Sequence, residues 1–144
     1  MKDNQLLAAT VDSQSSLVAP EGRAVAIVAP PWLQEGLAVV IKAMPRTRLV
    51  ACTGSVQSLL LIDLERAPDL VVLTVDVPDV KASNQIRQAR FVYPHARYLV
   101  LIQELAQSAN ARAAGADETL LQGASAEQFC AAVSRLIGRE QISP

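Results

Sequence analysis

A chain of 144 residues, 51% hydrophobic and with a formal net charge of −1, has the size and composition of one globular domain able to bury a core. Its 13 basic and 14 acidic side chains leave no basic surplus or stripe of the kind that grips nucleic acid, and no apolar run approaches the ~20 residues that span a bilayer. Cys52 and Cys130 make no disulfide framework and fit a reducing, cytoplasmic setting, and a lone histidine, His95, argues against a catalytic triad or a histidine-based metal site.

Residues 1–22 are rich in Ser, Gln, Asp and Asn, end in Pro20-Glu21-Gly22, and read as a flexible leader that makes a poor signal peptide. A domain over residues 23–138 follows. Ala24 to Val28 is a short continuous apolar run, the pattern of a strand buried on both faces of a parallel sheet. Leu33, Leu37, Val40, Ile41 and Met44 recur at helical spacing, with Pro31 acceptable in the first turn and Pro45 as the stop. Arg48 to Cys52 is the second strand, Gly54-Ser55 opens a helix through about Arg66, and Leu70 to Leu73 is the third strand. A helix is expected around Ser83 to Phe91, a fourth strand over Tyr98 to Ile102, and an alanine-rich helix over Leu105 to Ala114 ended by Gly115. Thr119 to Leu121 is a short fifth strand. Ser125-Ala126-Glu127-Gln128 is a capping box that starts a last helix with the apolar stripe Phe129, Val133, Leu136 and Ile137. Residues 139–144 read as a tail or the start of a linker. Five strands alternating with five helices make a three-layer, doubly wound α/β sandwich, for which the natural parallel order at this size is the flavodoxin-like 2-1-3-4-5.

Several short stretches, taken together, resemble one known family. They are Glu35-Gly36-Leu37, Ala67-Pro68-Asp69-Leu70-Val71-Val72-Leu73, Val77-Pro78, Tyr93-Pro94-His95-Ala96-Arg97, Ala114-Gly115-Ala116-Asp117 and Ala124 to Phe129. In this order and at near-correct spacing they are similar to the receiver domains of response regulators, CheY-like in fold and closest to the NarL/FixJ type. The likeness covers roughly Arg23 to Gly138.

That resemblance implies a phosphorylation pocket, and every chemical position in it is changed. The acidic pair that holds Mg²⁺ is Ala29-Pro30, which offers no side-chain oxygen to a hard cation. The phospho-acceptor Asp is Thr74. The switch hydroxyl at the end of the fourth strand is Ile102, the switch aromatic is Thr119, and the phosphate-binding Lys is the neutral Gln122. Phosphoryl transfer depends on positioning and on neutralisation by metal and cation. The chain therefore reads as a pseudo-receiver with no catalytic residue, no metal and no cofactor. The loop after the fourth strand is about two residues shorter than in relatives, which shortens the helix after it.

Thr74 reads as a β-branched strand end whose hydroxyl, without an adjacent base, is a poor nucleophile. Asp76 and Asp79 read as turn formers and solvated acids. Trp32 has two readings, a cover over the altered pocket or a packing residue of the first helix. Leu59-Leu60-Leu61-Ile62 with Leu64 is apolar nearly all round, which calls either for a partner or for extra core packing. In relatives the surface of helix 4, strand 5 and helix 5 mediates dimerisation, which by position implies Ala111, Arg112, Cys130, Ser134 and Arg135 as interface residues.

Three functions compete. The first is a module of two-component or phosphorelay-type signalling that acts by phosphorylation-independent contact with a protein partner or with itself, with no nucleic acid or membrane bound by this chain. The second is the receiver half of a NarL/LuxR-type DNA-binding regulator. The third is a small-ligand sensor using the crevice at Ala29, Pro30, Thr74 and Ile102, where this architecture usually binds ligands.

Overall fold

The computed structural model describes residues 22–75 and 79–142. Its elements alternate: β1 (Arg23–Val28), α1 (Pro31–Ala43), β2 (Thr47–Thr53), α2 (Val56–Leu61), β3 (Leu70–Thr74), α3 (Asp79–Val92), β4 (Arg97–Ile102), a 3₁₀ turn (Leu105–Gln107), α4 (Ser108–Ala114), β5 (Glu118–Leu121) and α5 (Ala126–Ile142). All strand pairs are parallel, and the sheet runs β2-β1-β3-β4-β5. This is the five-stranded 2-1-3-4-5 order of the flavodoxin and CheY-like fold.

The three inner strands are almost wholly apolar because both faces of the sheet are covered there, whereas the edge strands β2 and β5 are only partly buried. Successive side chains alternate between the faces. Ala26, Val28, Val71, Leu73, Tyr98, Val100 and Ile102 join one core with Val56, Leu59, Ile86 and Ala111 from α2, α3 and α4. Val25, Ile27, Leu70, Val72, Leu99 and Leu101 join the other with Leu37 and Ile41 of α1 and Phe129, Val133 and Leu136 of α5. On the edge strand β2 the register jumps from Val25↔Leu49 to Ala26↔Ala51, so Val50 is an extra residue. A bulge of this kind makes an open edge a poorer template for pairing with another strand.

The N-terminal rim of the sheet is pinned by two carboxylates. Asp69 Oδ2 accepts the amide of Ala24 at 2.8 Å, joining the start of β3 to β1, and is braced by Arg66 at 2.9 Å. Asp117 Oδ2 accepts the amide of Tyr98 at 2.8 Å, joining β5 to β4, and Arg90 reaches the same oxygen at 3.2 Å. Gly115 caps α4 with φ +129°, and a Cβ there would lie 2.8 Å from Cδ of Arg90, so glycine keeps both the turn and this ion pair possible. The capping box of α5 forms as expected, with the Ser125 amide donating to Gln128 Oε1 at 2.9 Å and the Gln128 amide donating to Ser125 Oγ at 3.1 Å.

Several boundaries differ from the sequence reading. The second helix stops at Leu61 and not near Arg66, because its last turn closes on Leu59 and the chain turns extended at Ile62. The third helix begins at Asp79, four residues earlier than expected. Residues Leu105–Gln107 are 3₁₀, so α4 keeps seven residues. Strands β2 and β5 extend slightly beyond the expected ranges, at Thr47, Thr53 and Glu118. The leader and Asp76, Val77 and Pro78 lie outside the described residues.

Candidate functional site

The C-terminal ends of β1, β3, β4 and β5 carry the residues singled out by sequence. Ala29 and Ile102 are fully buried at 1% exposure, and Thr74 is buried as well. Ala29 joins the α1/α5 core, while Ile102 joins the opposite one. Thr74 continues the Leu70, Val72 side of β3, and its hydroxyl has no hydrogen-bond partner among the described residues. Asp76 lies outside the described residues.

The pocket rim is closed by amides that the sequence did not mark as partners. Gln122 sends its side-chain amide from the end of β5 to the carbonyl of Val75 at 3.0 Å, with the Leu101 carbonyl at 3.5 Å. Gln34, one turn into α1, donates to the carbonyl of Ala29 at 2.8 Å. A glutamine at a strand end and another four residues after a Pro-Pro turn were the available signals, but only the tertiary structure supplies the acceptors. The Pro30–Pro31 pair starts α1 without a side-chain cap, and it withdraws amide donors from the spot where a helix N-terminus could hold an anion.

The residues present do not fit a divalent cation. Ala29 and Pro30 bring no carboxylate, and the nearby Ala29 and Val75 carbonyls already accept side-chain amides. Among the described residues, no group of three or more His, Cys, Asp and Glu side chains is placed to hold a metal ion. Among the described residues no base is hydrogen-bonded to the Thr74 hydroxyl.

Thr119 departs furthest from the aromatic expected there. It lies in β5, and its hydroxyl shares a 2.8 Å hydrogen bond with Ser108 at the start of α4, tying that short helix to the edge strand. On the surface formed by α4, β5 and α5, four of the five implied interface residues are at least partly accessible. Ser134, Arg135 and Arg112 are exposed and Cys130 is half-buried. Ala111 is a correction: it is 5% exposed and packs into the α3-side core, because the short α4 turns this residue toward the sheet. Arg135 pairs with Glu118 of β5, and Arg112 donates to the Asp117 carbonyl at 3.4 Å. At the C-terminal end of β5 lies a groove of about 530 Å³ lined by Ile102, Leu105, Thr119, Leu121 and Gln128. Leu105 is 73% exposed on its lip, a residue the sequence reading did not place on this surface.

Trp32 follows neither of its two readings. It is 69% exposed on α1, so it neither seals the pocket nor packs in the core. In α2, Leu59 is fully buried and Leu60 packs against the core, while Leu61 is 87% exposed, so the run is divided between packing and surface.

The sequence matches no protein-family model and no curated protein sequence. Solved structures do match the fold. A LuxR-family two-component response regulator from Aurantimonas is 21% identical, with a TM-score of 0.71 over 82% of this chain and 86% of that one. A response regulator from Thermotoga maritima is 16% identical, with a TM-score of 0.70 over 82% and 99%. A CheY-like receiver domain protein from Methanospirillum hungatei is 13% identical, with a TM-score of 0.68 over 85% and 100%.

Proposed function

We propose that this chain is a pseudo-receiver: a receiver-fold module of two-component-type signalling that works through protein contacts and carries no phosphoryl group on Thr74. The likeness to solved receiver domains supports the fold-level part of that reading. One observation carries the rest: Gln122 stands where the resemblance implies a phosphate-binding lysine, and its amide is spent on the Val75 carbonyl. A neutral side chain tied to the main chain has no charge to follow a phosphate. The module is not an enzyme and needs no cofactor. Its output surface is the α4–β5–α5 face, where Leu105 and Leu121 border the groove and a protein partner or second copy docks. No helix of the described residues is long and apolar enough to cross a membrane, in keeping with action on other proteins, and we place it in the cytoplasm.

Acetyl phosphate, or beryllofluoride with Mg²⁺, is expected to leave the melting temperature unchanged. A Mg²⁺-dependent rise would sink the proposal. A second reading is the receiver half of a DNA-binding regulator, favoured by the likeness to a LuxR-family response regulator. Reading the coding sequence past Pro144 separates the two, since a helix-turn-helix after a short linker supports the second.

A further inference from the structure

The helix α1 is apolar on more sides than one sheet can cover. Of its 13 residues only Gln34, Glu35 and Lys42 carry polar side chains, and Gln34 is turned inward to Ala29. Leu37 and Ile41 are buried against the sheet. On the outer side, Trp32 is 69% exposed, Val39 is 61% exposed, and Gly36 and Ala43 are exposed between and beyond them. At 100° per residue these four positions fall within roughly 60° of one another and run about 16 Å along the axis. They form an apolar stripe that faces away from the domain.

One flank of this stripe slopes into an apolar groove of about 180 Å³ between α1 and α5, lined by Leu33, Val40, Leu121 and Phe129. The other flank carries Glu35 and Lys42, both exposed. Seven residues apart, almost two full turns, these charges lie on the same side of the helix.

That charge order points to one occupant. When two copies of a helix pack antiparallel about a two-fold axis, like flanks lie side by side; when they pack parallel, opposite flanks meet. In the antiparallel case, with the axis midway between Gly36 and Val39, Trp32 faces Ala43 of the second copy and Gly36 faces Val39. Glu35 then lies within a turn of the oppositely charged Lys42. Every contact occurs twice, as a closed two-fold interface requires. Gly36 sits at the crossing. A Cβ there would meet nothing within 4 Å in its own chain, so the fold of one copy does not need glycine. A helix-interior glycine weakens its helix relative to alanine, whereas a second backbone approaching closely does require it.

We propose that α1 is a self-association surface, on which a second copy of this chain docks antiparallel through Trp32, Gly36, Val39 and Ala43. The two-fold seam leaves the α4–β5–α5 face open for a different protein. This goes beyond the function proposed above and does not rest on it, because the stripe is remote from the phosphate question.

The test is sedimentation of the full chain across a dilution series, with circular dichroism to establish that each variant is folded. The wild type is expected to give a dimer mass. Glu35→Lys or Lys42→Glu alone sets like charges opposite each other and weakens dimerisation about tenfold or more. The double reversal, Glu35→Lys with Lys42→Glu, restores it. Gly36→Leu fills the crossing and gives a folded monomer. The proposal is overturned by a wild type that stays monomeric throughout, by a dimer indifferent to the charge reversals and to Gly36→Leu, or by a dimer that only Leu105→Glu breaks.

Discussion

The side-chain amide of Gln122 lies 3.0 Å from the carbonyl oxygen of Val75, joining the end of β5 to the residue that follows Thr74. It ties that corner of the sheet together with a neutral side chain. Gln122→Ala removes the donor and is expected to cost about 1 kcal/mol of unfolding free energy. Gln122→Glu sets a carboxylate against the Val75 and Leu101 carbonyls and is expected to cost about 2 kcal/mol at neutral pH. The charge raises that carboxyl above its unfolded value of about 4.3, so the excess loss grows as pH rises through the acid range and vanishes well below it. Chemical denaturation of both variants at neutral and acidic pH checks the order.

Thr74 carries a buried hydroxyl with no partner among the described residues. A buried hydroxyl left without a hydrogen bond costs about 1–3 kcal/mol, and valine has nearly the same shape. Thr74→Val is therefore expected to raise stability by about 1 kcal/mol. Thr74→Asp should lower it by several kcal/mol, since it buries a charge at a position where no described residue is hydrogen-bonded to the present hydroxyl. It should also fail to restore a Mg²⁺-dependent response to beryllofluoride. If Thr74→Val melted below the wild type, the hydroxyl would have a partner after all.

Burial holds the Tyr98 hydroxyl proton well above the ordinary tyrosine range, and Arg90, whose guanidinium lies 5.2 Å from the ring centroid, offsets only part of this. The hydroxyl donates to the Tyr93 carbonyl at 2.9 Å. Above pH ~10 the unfolded chain loses this proton and the folded one keeps it. Stability that is fully present below that pH is then lost as pH rises, by up to ~1.4 kcal/mol per unit. Tyr98→Phe is expected to be less stable at neutral pH and to show a shallower alkaline decline, read from denaturant midpoints.

Neighbouring leucines in α2 should behave in opposite ways. Leu59 is fully buried and Leu61 is 87% exposed. Leu59→Ala is expected to cost about 2–5 kcal/mol, while Leu61→Ala should stay within about 0.5 kcal/mol of the wild type. Thermal or denaturant unfolding of the pair measures the contrast.

The strands were legible because a sheet covered on both faces leaves an uninterrupted apolar run, as in Leu70 to Leu73. Gly115 and the Ser125–Gln128 box were legible because caps are written in adjacent residues. The end of α2 was not, since Leu59 to Leu64 keeps a helical apolar pattern and what stops the helix is the extended turn at Ile62. The buried side of Ala111 depends on where a short α4 begins, which the composition of Leu105 to Ala114 does not encode. At the site, the uncharged side chains of Ala29, Pro30, Thr74, Ile102 and Gln122 could be read residue by residue, whereas the hydrogen bonds of Gln122 and Gln34 depend on backbone carbonyls that the sequence does not mark.

The carboxylates of Asp69 and Asp117 each fasten a neighbouring strand at the rim opposite Thr74. Strand registry is therefore secured by groups that take no part in the pocket. Side chains at the Thr74 end of the sheet can therefore be exchanged without loosening the ties that hold the strands in order at the other end.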